Sequence, residues 1–210
     1  MKSCPACGAE LTSALVCEVC HELIDADGAG PFAAFGLEPG FVLDPGALRK
    51  RHLRLSRELH PDFHGASAPE VRARAEANSA ALNEALAILS DDERRANWLV
   101  GSLGGPAGEE ERQMPQEFLM DVLDWNTAIE EARHAEPESE ERRALAGLKD
   151  DLVEAREERH GVLTELLDPL PPSGSPDLVR VRRQLNALRY LARSLHEIAE
   201  LELSFQKSTT

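Results

Sequence analysis

The sequence predicts an all-α protein in three parts: a small N-terminal metal-binding module, a helical hairpin, and a C-terminal three-helix antiparallel bundle. Three observations carry this. Apolar residues reach 42% of the chain but aromatics only 4%, so Ala and Leu do most of the packing, which favours helices over a sheet rich in Val, Ile and Tyr. Apolar positions recur at spacings of three and four through the long segments, which is the helical period. All four cysteines fall within the first twenty residues.

The cysteines read Cys4-Pro5-Ala6-Cys7-Gly8 and Cys17-Glu18-Val19-Cys20-His21. Each C-x-x-C pair suits a tight knuckle with both sulfurs turned inward. Gly8 suits the left-handed backbone position that follows a knuckle. Cys4, Cys7, Cys17 and Cys20 around one ion read as structural zinc (Zn2+), because a closed shell of thiolates leaves no open position for substrate. Iron stays open as an alternative, since a Cys-Pro-x-Cys-Gly knuckle also occurs in rubredoxin-like sites. A disulfide does not suit a reducing compartment. Haem attachment at Cys17 to His21 requires export and strands Cys4 and Cys7. The module, residues 1–28, has almost no core and is expected to fold only with its metal.

A linker of small and turn residues covers 25–31. The next expected helix runs from Pro45 to Leu59, with Asp44 as N-cap, Pro45 at the first helical position, and Leu48, Leu53, Leu55 and Leu59 on a broad apolar face. Pro61 stops it. A long Ala-rich helix follows from Ala68-Pro69 to Leu89, with Val71, Ala75, Asn78, Leu82, Ala85, Leu86 and Leu89 on one face. Ser90-Asp91-Asp92-Glu93 opens a further helix through Ala96 and Leu99. After a second linker at 101–108, three helical segments are expected at Pro115–His134, Pro137–Leu167 and Pro176 to about Ser204. Short loops let them pack antiparallel. The middle one is expected to be exposed, with charge over most of its circumference, and Glu136 to Glu141 reads as an acidic surface loop.

The formal charge is −15, which makes the chain a poor binder of phosphate backbones and argues against a nucleic-acid partner. Residues 109–168 hold nineteen acidic and seven basic residues, so they carry most of that charge. No apolar run approaches the ~18–20 residues of a membrane span. The N-terminus is polar and cysteine-bearing, unlike a signal peptide. A soluble cytoplasmic protein is expected. One segment opposes the acidic trend: Arg49, Lys50, Arg51, Arg54 and Arg57 stand against Glu58 alone between Ala47 and His60. A basic helix here fits an acidic partner surface, or a solvated face.

Leu59-His60-Pro61-Asp62 follows that helix directly. Pro61 forces a loop, and His60 and Asp62 flank it with polar groups at its tip. In this context the chain resembles the J-domain family: Phe32-Ala33-Ala34-Phe35-Gly36-Leu37 looks like its first helix, Arg49 to Arg54 sits on a basic second helix, and Asn78 to Ala85 lies on a long third. The resemblance narrows to the iron–sulfur cluster co-chaperone HscB family. Asp92-Glu93-Arg94-Arg95-Ala96-Asn97-Trp98-Leu99 is similar to that family's Pro-x-x-Arg-Ala-x-Tyr-Leu segment. Pro115-Gln116-Glu117-Phe118-Leu119-Met120-Asp121-Val122-Leu123 is similar to the start of its bundle. Some members carry an N-terminal pair of knuckles.

The resemblance implies a J-domain at 29–104 and a scaffold-binding bundle at 109–207. It implies that His60, Pro61 and Asp62, with Arg49, Lys50, Arg51 and Arg54, dock on a DnaK/HscA-type ATPase chaperone and stimulate its ATP hydrolysis. The ATPase site belongs to the partner, so the chain is expected to be no enzyme. It further implies that Leu119, Met120, Leu123, Asp124 and Tyr190 bind an IscU-type iron–sulfur scaffold. The alternative for Leu119, Met120, Leu123 and Tyr190 is bundle core. Departures are His52 for an aromatic, Leu59 for Tyr, Trp98 for Tyr, and Phe63-His64-Gly65 after the tripeptide. Three other readings stand beside this one: a general J-domain co-chaperone with other clients, a zinc-ribbon nucleic-acid binder, and an iron-bearing redox protein.

Overall fold

The structure, a computed structural model, describes residues 3–26, 28–64, 68–136 and 139–208. Met1, Lys2 and Asp27 of the expected metal module, Gly65 after the tripeptide, and the expected helix start at Pro137 lie outside the described residues. The chain divides into two compact units, Met1–Leu99 and Val100–Thr210.

The first unit begins with two copies of one local design. In the first knuckle the Gly8 N–H donates to the Cys4 carbonyl and the Cys4 N–H to that of Ala9, at 2.9 and 2.7 Å. In the second, the His21 N–H donates to Cys17 and the Cys17 N–H to Glu22, at 2.8 and 2.9 Å. Bridges Ser3 to Glu10 and Val16 to Leu23 close the two copies. Gly8 has φ +75° as expected, and His21 takes the equivalent position at φ +61°.

Helix α1 (Pro31–Phe35) ends at Gly36, whose left-handed φ of 60° caps the carbonyls of Phe32 and Ala33. A Cβ there would also lie 1.4 Å from the Thr12 carbonyl oxygen, so backbone conformation and module packing both require glycine. Helix α2 (Pro45–Leu59) starts where Asp44 accepts from the Gly46 N–H at 2.8 Å. It buries Leu48, Leu55 and Leu59. Leu53 does not join them and is 51% exposed. At about 100° per residue it lies about 140° around the helix from Leu48, while Leu55 and Leu59 stay within about 20° of it.

A 3-10 turn (Pro61–His64) leads toward helix α3 (Pro69–Leu89), which buries Ala75, Asn78, Leu82, Ala85 and Leu89. Asn78 is the polar member of that face. Its amide donates to the carbonyls of Leu15 and Ile24, both at 2.7 Å, and so ties α3 to the metal module. Helix α4 (Asp92–Ser102) is capped by Asp91, which accepts from the Arg94 N–H at 2.8 Å. Its Arg95 is buried, donates to the carbonyls of Phe41 (2.7 Å) and Leu89, and pairs with Asp92. Arg95→Ala strands two buried carbonyls, each costing about 1–3 kcal/mol. Urea unfolding is expected to show a loss of about 3 kcal/mol in the first unit.

The second unit is built from α5 (Phe118–His134), α6 (Glu140–Leu167) and α7 (Asp177–Ser208). Its core joins Phe118, Val122, Ile129 and Ala132 to Leu145, Leu148 and Leu152, and to Ala187, Leu191, Ile198 and Leu201. Two expectations change here. Glu140 and Glu141, read as part of an acidic loop, form the first turn of α6 behind the N-cap Ser139, where the helix dipole favours negative charge. And α6, despite its charge, buries a continuous stripe of Leu145, Leu148, Leu152, Arg159, Leu163 and Leu167.

Candidate functional site

Three sites emerge from the residues singled out above. The first is the cysteine cluster. The four Sγ atoms all lie within 4.8 Å of one another. Cys4 and Cys20 approach to 3.6 Å and Cys7 and Cys17 to 3.7 Å, and all four are free thiols. A tetrahedral ion with metal–sulfur bonds of about 2.3 Å sets its sulfurs about 3.8 Å apart, so the donor set fits. The N–H groups of Cys20 and Val19 point at the Cys17 sulfur and lower its pKa to about 7. At Cys20 the Glu22 N–H pulls the same way, but the Cys7 thiol, burial, and the Cys4 and Cys17 thiols outweigh it and push the pKa up to about 12. The Cys17 thiolate forms readily, and a cation is needed to ionise Cys20. His21 stands outside the cluster, with Nδ1 3.5 Å from Glu58.

The second site is the loop at the end of α2. His60 and Asp62 are exposed at the tip, and Pro61 opens the turn between them. The Asp62 N–H donates to His60 Nδ1 at 3.2 Å, and the Asp62 carboxylate lies 3.6 Å from the same nitrogen. The base of the loop is pinned. The Ser79 hydroxyl donates to the Leu59 carbonyl at 2.9 Å, and His64 Nε2 reaches the Glu58 carbonyl at 3.1 Å. His64 carried no sequence signal for this, because nothing in its spacing points back to Glu58. His52 stacks on Phe35 with ring centroids 6.3 Å apart, in the place an aromatic was expected. Arg49 and Lys50 are exposed on α2. Arg51 is turned inward, donating to the carbonyls of Phe35 and Thr12. Arg51 and Arg54 both pair with Glu18, at 3.2 and 2.9 Å.

The third site is on α5. Leu119, Met120 and Leu123 are 44%, 71% and 63% exposed. At about 100° per residue Met120 and Leu123 turn away from the buried Phe118 and Val122, and Leu119 lies on the flank between the two faces. Asp124 is exposed beside them. Tyr190 on α7 is half-buried; its ring meets Phe118 edge-on at 6.0 Å, and its hydroxyl donates to Asn126 at 2.7 Å. Asn126 was not singled out in the sequence, and only the placement of α7 reveals it.

No helix among the described residues is long and apolar enough to cross a membrane. A family model described as the HSCB C-terminal oligomerisation domain matches residues 114–199. A co-chaperone protein HscB homolog of Bordetella avium is 33% identical over 138 residues, covering 65% of this chain and 79% of that protein. One from Haemophilus influenzae is 31% identical over 175 residues, covering 82% and 94%. The crystal structure of human co-chaperone protein HscB shares the fold with a TM-score of 0.74 at 20% identity, covering 97% of this chain and all of that one. Chaperone HscB from Vibrio cholerae gives 0.65 at 21% identity, covering 83% and 98%.

An all-helical chain with a cysteine cluster at one end and these relatives is a co-chaperone. It belongs to the HscB co-chaperone family.

Proposed function

We propose that this protein is a cytoplasmic co-chaperone of iron–sulfur cluster assembly. In this reading residues 1–28 form a structural zinc module, 29–104 a J-domain, and 109–207 a scaffold-binding bundle. His60, Pro61 and Asp62, with the basic residues of α2, dock on a DnaK/HscA-type chaperone and stimulate its ATP hydrolysis. Leu119, Met120, Leu123, Asp124 and Tyr190 hold an IscU-type scaffold. The protein acts as a tether: two binding faces on one molecule raise the effective concentration of scaffold at the chaperone.

The observation that carries this reading is the exposed cluster of Leu119, Met120 and Leu123. Three large apolar side chains side by side on a charged helical surface mark a partner site, and Met adapts its shape to a partner. The test is steady-state ATPase of a DnaK/HscA-type chaperone with this protein, with and without an IscU-type scaffold, beside a His60→Gln variant. Stimulation that rises synergistically with scaffold and falls at least tenfold in His60→Gln is the expected result. Stimulation indifferent to scaffold would leave a general J-domain co-chaperone. Absence of stimulation would overturn the reading.

A further inference from the structure

The second knuckle touches the basic helix through charge. Glu18 lies between two of the metal-site cysteines, Cys17 and Cys20, so its backbone is placed by the knuckle. Its carboxylate reaches Arg51 at 3.2 Å and Arg54 at 2.9 Å. The same knuckle meets α2 again through His21, whose Nδ1 lies 3.5 Å from Glu58. Burial and the neighbouring Arg54 charge push the Arg51 guanidinium down from its usual range, against the pull of Glu18 and Glu58. Glu18 and Glu58 thus face a crowded pair of cations. Arg49, Lys50 and Arg57 carry no ion pair among the described residues.

We propose that the metal site sets how much positive charge α2 displays. With the ion bound, the ordered knuckle holds Glu18 against Arg51 and Arg54. With the ion gone, the knuckle loses its frame, Glu18 leaves, and Arg54 is released to the surface of α2, while Arg51 keeps its bond to the Phe35 carbonyl. Arg49, Lys50 and Arg57 are then the permanent positive strip of the helix, and Arg54 is a metal-dependent supplement. The consequence for docking rests on the proposal that α2 binds an acidic chaperone face. The consequence for the metal does not. By reciprocity, if the ion favours the Glu18 pairs, those pairs favour the ion.

Two measurements on the full chain separate these. The first needs no chaperone: Zn2+ affinity by competition with a chromophoric chelator, for wild type, Glu18→Gln and Arg54→Ala. The Arg54 side chain is half exposed, so Arg54→Ala leaves the fold intact. Each variant is expected to bind Zn2+ about 3-fold more weakly, and Arg54→Ala is expected to add little to Glu18→Gln, as a partly exposed pair allows. Unchanged affinity in both variants, or fully additive losses, would overturn the clamp whatever the chaperone does.

The second is the half-saturating concentration for ATPase stimulation as a function of salt. Glu18→Gln is expected to lower it about 3-fold at low salt and to steepen its salt dependence, because the freed Arg54 adds to the attraction. Chelation of wild type is expected to shift it the same way, and chelation of Glu18→Gln to shift it less. A wild type that stimulates while Glu18→Gln matches it at every salt concentration would overturn the docking consequence. A wild type that fails to stimulate would overturn the chaperone reading, and the Zn2+ arm would then decide the clamp alone.

Discussion

Stripping the metal is expected to unfold residues 3–26 while α5, α6 and α7 keep their structure. Among its described residues the module has two isolated bridges and no helix, and only Leu15, Val16, Cys4, Cys17, Leu23 and Ser13 are buried. That core is too small to offset the conformational entropy of ordering so many residues, at about 1–2 kcal/mol each. In zinc-finger peptides a structural ion contributes an apparent 10–16 kcal/mol or so, which is the scale needed. The damage then spreads to the helical part of the first unit. Asn78 loses both carbonyl acceptors, at Leu15 and Ile24, and Ser13 no longer donates to Ala34. A buried amide left without partners costs about 1–3 kcal/mol. Hydrogen exchange checks this directly. The amides of Cys4, Gly8, Cys17 and His21 are each bonded within a knuckle. Their protection is expected to vanish on chelation and to return when Zn2+ is restored. A Cys17→Ser variant is expected to behave as the stripped protein. Retained protection in the stripped protein would show that the module folds on its contacts with α1 and α3 alone.

What the sequence made legible divides by the distance over which each signal acts. The knuckles, the Asp44-Pro45 helix start and the His60-Pro61-Asp62 turn are local, and residue type alone places them. Asn78 was readable as a member of the buried face of α3, because three-and-four spacing puts it between Ala75 and Leu82. Its partners were not, because Leu15 and Ile24 lie more than fifty residues away in sequence. Leu53 misled because a tolerant reading of a broad apolar face admits a residue that the helical angle turns to solvent. The charge of α6 hid its leucine stripe, since composition reports the circumference and only periodicity reports the seam. Glu18 illustrates the deepest limit. A glutamate inside a C-x-x-C pair looks like a solvated residue until the module is placed against α2, and then it meets two of the four arginines and lysines assigned to docking.

Met120→Ala combined with Leu123→Ala is expected to weaken scaffold binding about 100-fold while leaving the bundle as stable as before. The two halves of that expectation come from one fact. Both side chains stand mainly in solvent, so removing them deletes no core and shifts stability by less than about 0.5 kcal/mol. In a complex the same side chains would sit at the centre of the contact, where truncating an anchor costs about 2 kcal/mol or more, and two such losses reach a factor of about 100 even with incomplete additivity. Neighbouring positions separate binding from folding. Val122 lies between them in sequence but is buried, so Val122→Ala is expected to lower the melting temperature and leave a folded protein that still binds. Leu203, 56% exposed near the end of α7, supplies an apolar control away from the cluster, and Leu203→Ala is expected to change neither quantity. Tyr190→Phe removes the hydroxyl that meets Asn126 but keeps the ring against Phe118. A loss of a few-fold there would assign the hydroxyl to orienting α7 against α5. Calorimetric titration with an IscU-type scaffold, paired with thermal unfolding of each variant, reads both axes. Wild-type affinity in the Met120→Ala, Leu123→Ala protein would remove the exposed face of α5 as the scaffold site.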